Sequence, residues 1–386
     1  MTASGMFQEK SLLLAGASAF SMSTLFSAMK PILLTRFVEQ AAFSDSLAGF
    51  AVASPFLGIA IASLCLKYLF SHMKVSTLVR IFGSMLIAAE VCSAFYFQYY
   101  LLLLVVQLTA GMCVGVLIGA ISRVIATTAN TDEIFGFVDM MAVMLMSFMV
   151  AAMGAAVANY GLEGGYLLAA GISFILTALM SGFKDAPRKQ TIIQARRLQL
   201  SIRNLTVVFM GVLFVTSSGM GFAYMFSIAI SLGMDYSNAG SFIGILLLAS
   251  AAACQFGGWC SSRFGPYWPL AFAFISCALG WYFAINAATA TIFMLALVPA
   301  IFSLQFNFPI LLALCGSLDT EGQWAAIATP LLVSGFAWAA IAASTIVSHF
   351  EVAALGTATV IGMLACLVLL LISRPPAQLD QTAIAG

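Results

Sequence analysis

Charge is scarce in this sequence: lysine, arginine, aspartate and glutamate make up 8% of 386 residues, against 62% apolar. So few charges cannot cover a water-soluble domain, whose outward helix faces need polar side chains. Histidine is scarcer still, with only His72 and His349, far apart in the chain. The eight cysteines stand singly in apolar segments, Cys254 and Cys260 being closest, and no CxxC occurs. These shortages leave no spacing for a metal centre or a disulfide framework, and no cofactor is expected. A net charge of +1 offers no electrostatic footprint for nucleic acid.

Long apolar runs are what the sequence has in abundance. Twelve can be marked, at about 11–38, 46–67, 76–97, 100–122, 134–158, 164–183, 205–231, 238–261, 268–286, 290–316, 324–348 and 351–373. Each has roughly the 20 residues needed to cross a bilayer as a helix, whereas barrel strands would be about 10 residues and alternating. The expected fold is therefore an all-α polytopic membrane protein with twelve transmembrane helices. The first run offers small residues, "AGASA", that imitate a cleavage site, but it is too long and continues through Lys30, so it reads as a retained span.

Basic residues fix an expected orientation. With the N-terminus inside, thirteen of the fifteen fall in inner segments, only Arg36 lies outside, and Lys30 is within a span. This asymmetry follows the positive-inside rule and puts both termini in the cytoplasm, in a plasma (inner) membrane. The longest polar connection, residues 184–204, divides the chain into an N-terminal six-helix bundle (1–183) and a C-terminal one (205–386). It reads either as a basic amphipathic helix on the inner leaflet or as a solvated linker. "SLAGF" at 46–50 and "SNAGS" at 237–241 open corresponding spans 191 residues apart, and Ser71-His72 meets Ser262-Arg263 at the same offset. Such internal repetition is typical of secondary transporters.

The stretch "GGWCSSRFG", 257–265, resembles the signature that the major facilitator superfamily carries between paired spans. Gly258, Arg263 and Gly265 match, and Ser262 replaces the acid; the equivalent after span two, "LKYLFSHMK", keeps positive charge at His72 and Lys74. "GMCVGVLIG" in span four places Gly111, Gly115 and Gly119 on one face, a spacing that permits close helix contact. The family's span-four arginine falls near Gln107, and its drug-antiporter signature in span five is absent. The resemblance implies two six-helix bundles rocking about a central site lined by span one.

Charges inside spans cost about 2.5–3.5 kcal/mol each on insertion scales, so each needs a partner or a task. Three are inside, Lys30, Glu90 and Asp139, all in the first half. Lys30 and Glu90 lie about 12 and 10 Å from the outer ends of spans one and three, so they stand level and contact is expected to be within reach. Lys30 ends a polar stripe with Gly16, Ser23 and Ser27, and Pro31 is expected to kink the helix and free the carbonyl of Ser27. A lysine there can also snorkel to the interface. Asp139 lies near the inner end of span five, level with Arg123, so the two are placed to pair; the resemblance implies that such a pair is an inner latch, with His72 and Arg263 as further gating residues. Its face carries Met146 and Met153. The second half supplies neutral polar groups, Tyr224, Gln255, Gln305 and Asn307.

The expected function is secondary active transport of a small organic solute, anionic or zwitterionic because Lys30 is the one mid-span cation, with proton coupling through Glu90 and Asp139. Solute-site candidates are Lys30, Glu90, Ser27, Gln107, Tyr224, Gln305 and Asn307. Efflux of amphipathic compounds is the competing reading, suited by 20 methionines and 32 phenylalanines. An intramembrane enzyme would need a nucleophile and base inside the membrane, and neither histidine falls there; a receptor without turnover is a third class. The expected partners are solute, protons and the bilayer, with no nucleic acid, and the chain is expected to act as a monomer.

Overall fold

Backbone amides in hydrocarbon must bond within their own segment, so apolar runs of this length become helices. The structure, a computed structural model, describes residues 3–41, 43–128, 130–182, 201–234, 236–319 and 322–374. Among these there is no strand. The helices are α1 (Ala3–Ala41), α2 (Asp45–His72), α3 (Val75–Tyr96), α4 (Tyr100–Ala126), α5 (Thr131–Val157), α6 (Asn159–Ser181), α7 (Ile202–Ser231), α8 (Tyr236–Phe264), α9 (Tyr267–Ile285), α10 (Ala290–Gly316), α11 (Gln323–His349) and α12 (Ala353–Ser373). The twelve apolar runs thus become twelve helices. Eleven contain a stretch long and apolar enough to cross a membrane; in α2 the apolar part, Leu47–Ala62, is shorter.

Helix ends follow local chemistry. Ser44, Ser201 and Thr289 accept main-chain N–H bonds that start α2, α7 and α10. Asp319 accepts from Gln323 N and Trp324 N, opening α11. The run Thr131–Ser181 breaks at Gly161, whose φ of 63° favours glycine, and Gln40 at the end of α1 accepts the Leu162 N–H there. Pro55 removes the N–H that would bond the Ala51 carbonyl; the Ser54 hydroxyl donates to that carbonyl instead, at 2.7 Å. The helix α1 runs through Pro31 without interruption.

Helices α1–α6 pack chiefly among themselves, as do α7–α12, and α2, α4 and α5 meet α8, α10 and α11 across the interface between these halves. The repeat is visible in the helices: α2 starts at residue 45 and α8 at 236, the offset read from the sequence. Of the expected connection 184–204, residues 184–200 lie outside the described residues. The glycine stripe of α4 does what its spacing implied. Side chains at Gly115 and Gly119 would strike the Ile59 carbonyl of α2 and the Ala326 carbonyl of α11, at 2.7 and 2.8 Å from the added carbon. One end of the bundle collects Lys74, Arg80, Arg123, Arg203, Arg263 and Arg374 and is called the basic end below. Exposed apolar side chains such as Leu101, Phe272 and Ile202 face outward, as lipid-facing surfaces require.

Candidate functional site

Lys30 sits where α1, α2, α7 and α11 converge, and it is only 6% exposed. Its Nζ donates to the main-chain carbonyl of Phe336 in α11 at 3.2 Å, a bond that crosses between the halves. The same nitrogen lies 5.9 Å over the Phe56 ring. No ion pair joins it to a described carboxylate. It does not snorkel.

Glu90 is elsewhere. It is fully buried in α3, a helix that packs on α4 and α6, with Gln107 and Tyr166 as neighbours. Gln107 lies against it, yet its amide donates to Ser93 Oγ at 2.9 Å, and neither oxygen of Glu90 has a well-formed hydrogen bond. The expected contact with Lys30 is therefore corrected. Counting residues set the two at one level, but the fold points Lys30 at α11 and encloses Glu90 between α3, α4 and α6. The second half shows how far the repeat has diverged here. At the 191-residue offset Ser27, Lys30 and Glu90 correspond to Ser218, Gly221 and Trp281. There the Trp281 ring fills the space beside Gly221, and its indole donates to Ser218 Oγ at 3.0 Å.

Asp139 also departs from expectation. It is 3% exposed and lies against the Cys254 thiol of α8, while its Oδ2 has no partner. The neighbour seen for Asp139 is thus Cys254 of α8, on the opposite half, and not the Arg123 of the expected latch. Two turns earlier Asp132 meets the hydroxyl of Ser261. Between these pairs Gly136 and Gly258 allow the backbones to approach: a side chain at Gly258 would meet the Asp132 carbonyl at 2.5 Å. An antiparallel α5–α8 seam of small residues and two acids thus closes the halves on the basic-end side. Beside it opens a cleft of about 650 Å³, lined by Asn130, Asp132, Glu133, Ser262, Ser317 and Asp319 among others.

The remaining candidates scatter. Ser27 is buried on α1 one turn before Lys30, and Gln305 is buried on α10. Asn307 is fully buried, and both atoms of its amide lack partners. Tyr224 is half-buried on α7. Arg263 is exposed and stacks over Trp259 and Phe264, and Gly265 makes the following turn with a φ of 73°. His72 closes α2, and its side chain is outside the described residues. What sequence reasoning missed is aromatic and thiol: Phe56, Phe336 and Cys254. Among 32 phenylalanines no spacing singles these two out.

The profile of a family described as Major Facilitator Superfamily matches residues 12–329. Among solved structures, the proton:xylose symporter XylE bound to 6-bromo-6-deoxy-D-glucose superposes with a TM-score of 0.74 at 13% identity, covering 96% of this chain and 95% of that one. A D-xylose-proton symporter gives 0.72 at 16% identity, covering 94% and 97%. The E. coli fucose:proton symporter FucP gives 0.67 at 17% identity, also covering 94% and 97%. No curated protein sequence matches the chain.

Proposed function

This chain belongs to the Major Facilitator Superfamily, and from that premise we propose that it moves a small organic solute, anionic or zwitterionic, by alternating access. The family and fold are those of transporters embedded in a membrane, which supports secondary transport over catalysis. The observation that carries the solute class is Lys30. A buried cation held by one neutral carbonyl is only partly compensated, and an arriving carboxylate completes it. Because the carbonyl belongs to the opposite half, a solute bound to the same ammonium group acts directly at the contact between the halves.

Proton coupling is the second part of the reading. Glu90 and Asp139 are buried carboxyls that each keep an unpartnered oxygen, and a proton is the smallest group that neutralises them in place. Competition between Glu90 and solute for Lys30 is not part of it, since no contact joins the two. Arg263 and the α5–α8 seam take the gating role in this scheme. The relatives named above carry sugars, so sugars are the rival solute class.

Counterflow in proteoliposomes against organic acids, amino acids and sugars tests the proposal. An anionic solute should be exchanged, Lys30→Arg should retain part of the activity, and Lys30→Gln should raise KM at least tenfold or abolish exchange. Normal transport by both Lys30→Gln and Lys30→Met would reject the anion reading. Efflux of amphipathic compounds remains the second reading, favoured by the aromatic rings beside Lys30.

A further inference from the structure

The surroundings of Lys30 say more about the solute than its charge. Four phenylalanines form a continuous chain of ring contacts past the ammonium group. Phe26 of α1 meets Phe56 of α2 edge-on at 6.3 Å, Phe56 meets Phe336 of α11 at 5.9 Å, and Phe336 meets Phe222 of α7 at 6.3 Å. Two rings come from each half. The chain crosses the interface at Phe56–Phe336, beside the bond from Lys30 to the Phe336 carbonyl.

From this geometry we infer that the solute is an amphipathic organic monoanion, with one carboxylate or equivalent group for Lys30 and an apolar body for Phe26, Phe56, Phe222 and Phe336. The inference rests on the Lys30 reading above and specifies the rest of the solute.

Three physical arguments support it. One cation matches one anionic group; a second carboxylate would enter low-dielectric surroundings uncompensated, which costs several kcal/mol. A polyhydroxylated body would surrender its bonds to water at ring surfaces that return few, whereas an apolar body gains by leaving water. The rings are also shared equally between halves. When the halves part at Phe56–Phe336, the two ring pairs become facing walls, and a solute lying between them touches both halves at once. That double contact is how a bound solute biases the equilibrium between two states.

The test uses the full chain in nanodiscs and direct binding of benzoate, octanoate, acetate, benzamide and D-xylose. Benzoate and octanoate should bind at least tenfold more tightly than acetate, and D-xylose should show no saturable binding. Lys30→Gln should weaken benzoate at least tenfold and leave benzamide unchanged. Phe56→Leu and Phe336→Leu, checked for monodispersity, should each weaken benzoate several-fold and leave acetate unchanged; the comparison of probes on the unaltered protein decides the matter even if one variant fails to fold. Acetate binding as tightly as benzoate, lost in Lys30→Gln, would overturn the apolar body while leaving the anion reading intact. Saturable D-xylose binding that is indifferent to Lys30→Gln, with no carboxylate bound, would overturn both.

Discussion

Glu90 is the most exacting residue in the molecule energetically. It has no solvent exposure, and both of its oxygens lack a well-formed hydrogen bond. An unsatisfied buried polar group costs about 1–3 kcal/mol, and more when charged. Such a residue is a burden on stability unless it performs a task. We expect Glu90→Leu to raise the unfolding temperature in nanodiscs by a few degrees while abolishing the pH dependence of solute uptake. A variant that is less stable than the parent would show instead that the carboxylate is held by water or an ion. Lys30 contrasts with it in having partners, a carbonyl and a ring, which compensate its charge in part. The sequence identified both residues by the cost of their charge, but the residues that meet them came from other helices and were not legible.

At the scale of elements, the seam between α5 and α8 holds the halves together on the basic-end side. Its closeness depends on missing side chains. A Cβ at Gly258 would lie 2.5 Å from the Asp132 carbonyl, and one at Gly136 would lie 2.9 Å from the Cys254 carbonyl. Main chain cannot yield as a flexible side-chain tip can, so a larger residue must push the helices apart. We expect Gly258→Leu, and more weakly Gly258→Ala, to raise the rate at which a thiol reagent modifies Cys254, a residue with no exposure in the closed seam. Gly244→Ala on the same helix, with nothing within 4 Å of the added carbon, serves as the control. Labelling read by peptide mass spectrometry decides it; identical rates in parent and Gly258→Leu would mean that the seam does not gate access. The glycine of the family-like signature was visible in the sequence, and its partner strand of contacts on α5 was not.

For the whole molecule, Lys74, Arg80, Arg123, Arg203, Arg263 and Arg374 gather at one end while Glu163 and Glu351 stand exposed at the other. Because basic loops tend to stay on the cytoplasmic side during insertion, we expect the basic end to face the cytoplasm. Cysteine introduced at Glu163 or Glu351 should react with an impermeant thiol reagent added outside, and cysteine at Lys74 only after access from the cytoplasm. Outside labelling at 74 would reverse the orientation. The two halves are alike in helix order and unlike in chemistry: charge at 30 and 90 stands opposite Gly221 and Trp281 at the repeat offset. On the function proposed above, the first half would recognise charge and both halves would shape the chamber.

Twelve helices were legible in the chain of residues alone, because a bilayer demands about 20 apolar residues per crossing and leaves few other solutions. The sequence also showed the repeat, through the 191-residue offset that α2 and α8 keep, and it marked Lys30, Glu90 and Asp139 by the cost of placing charge in hydrocarbon. Helical rise gives an expected depth along each span, which is how counting set Lys30 and Glu90 near one level. Depth does not give the neighbour. Which helix faces which is fixed by packing over the whole bundle, and that packing turned Asp139 to Cys254, enclosed Glu90 behind Gln107, and set Lys30 against the Phe336 carbonyl beside a chain of phenylalanines.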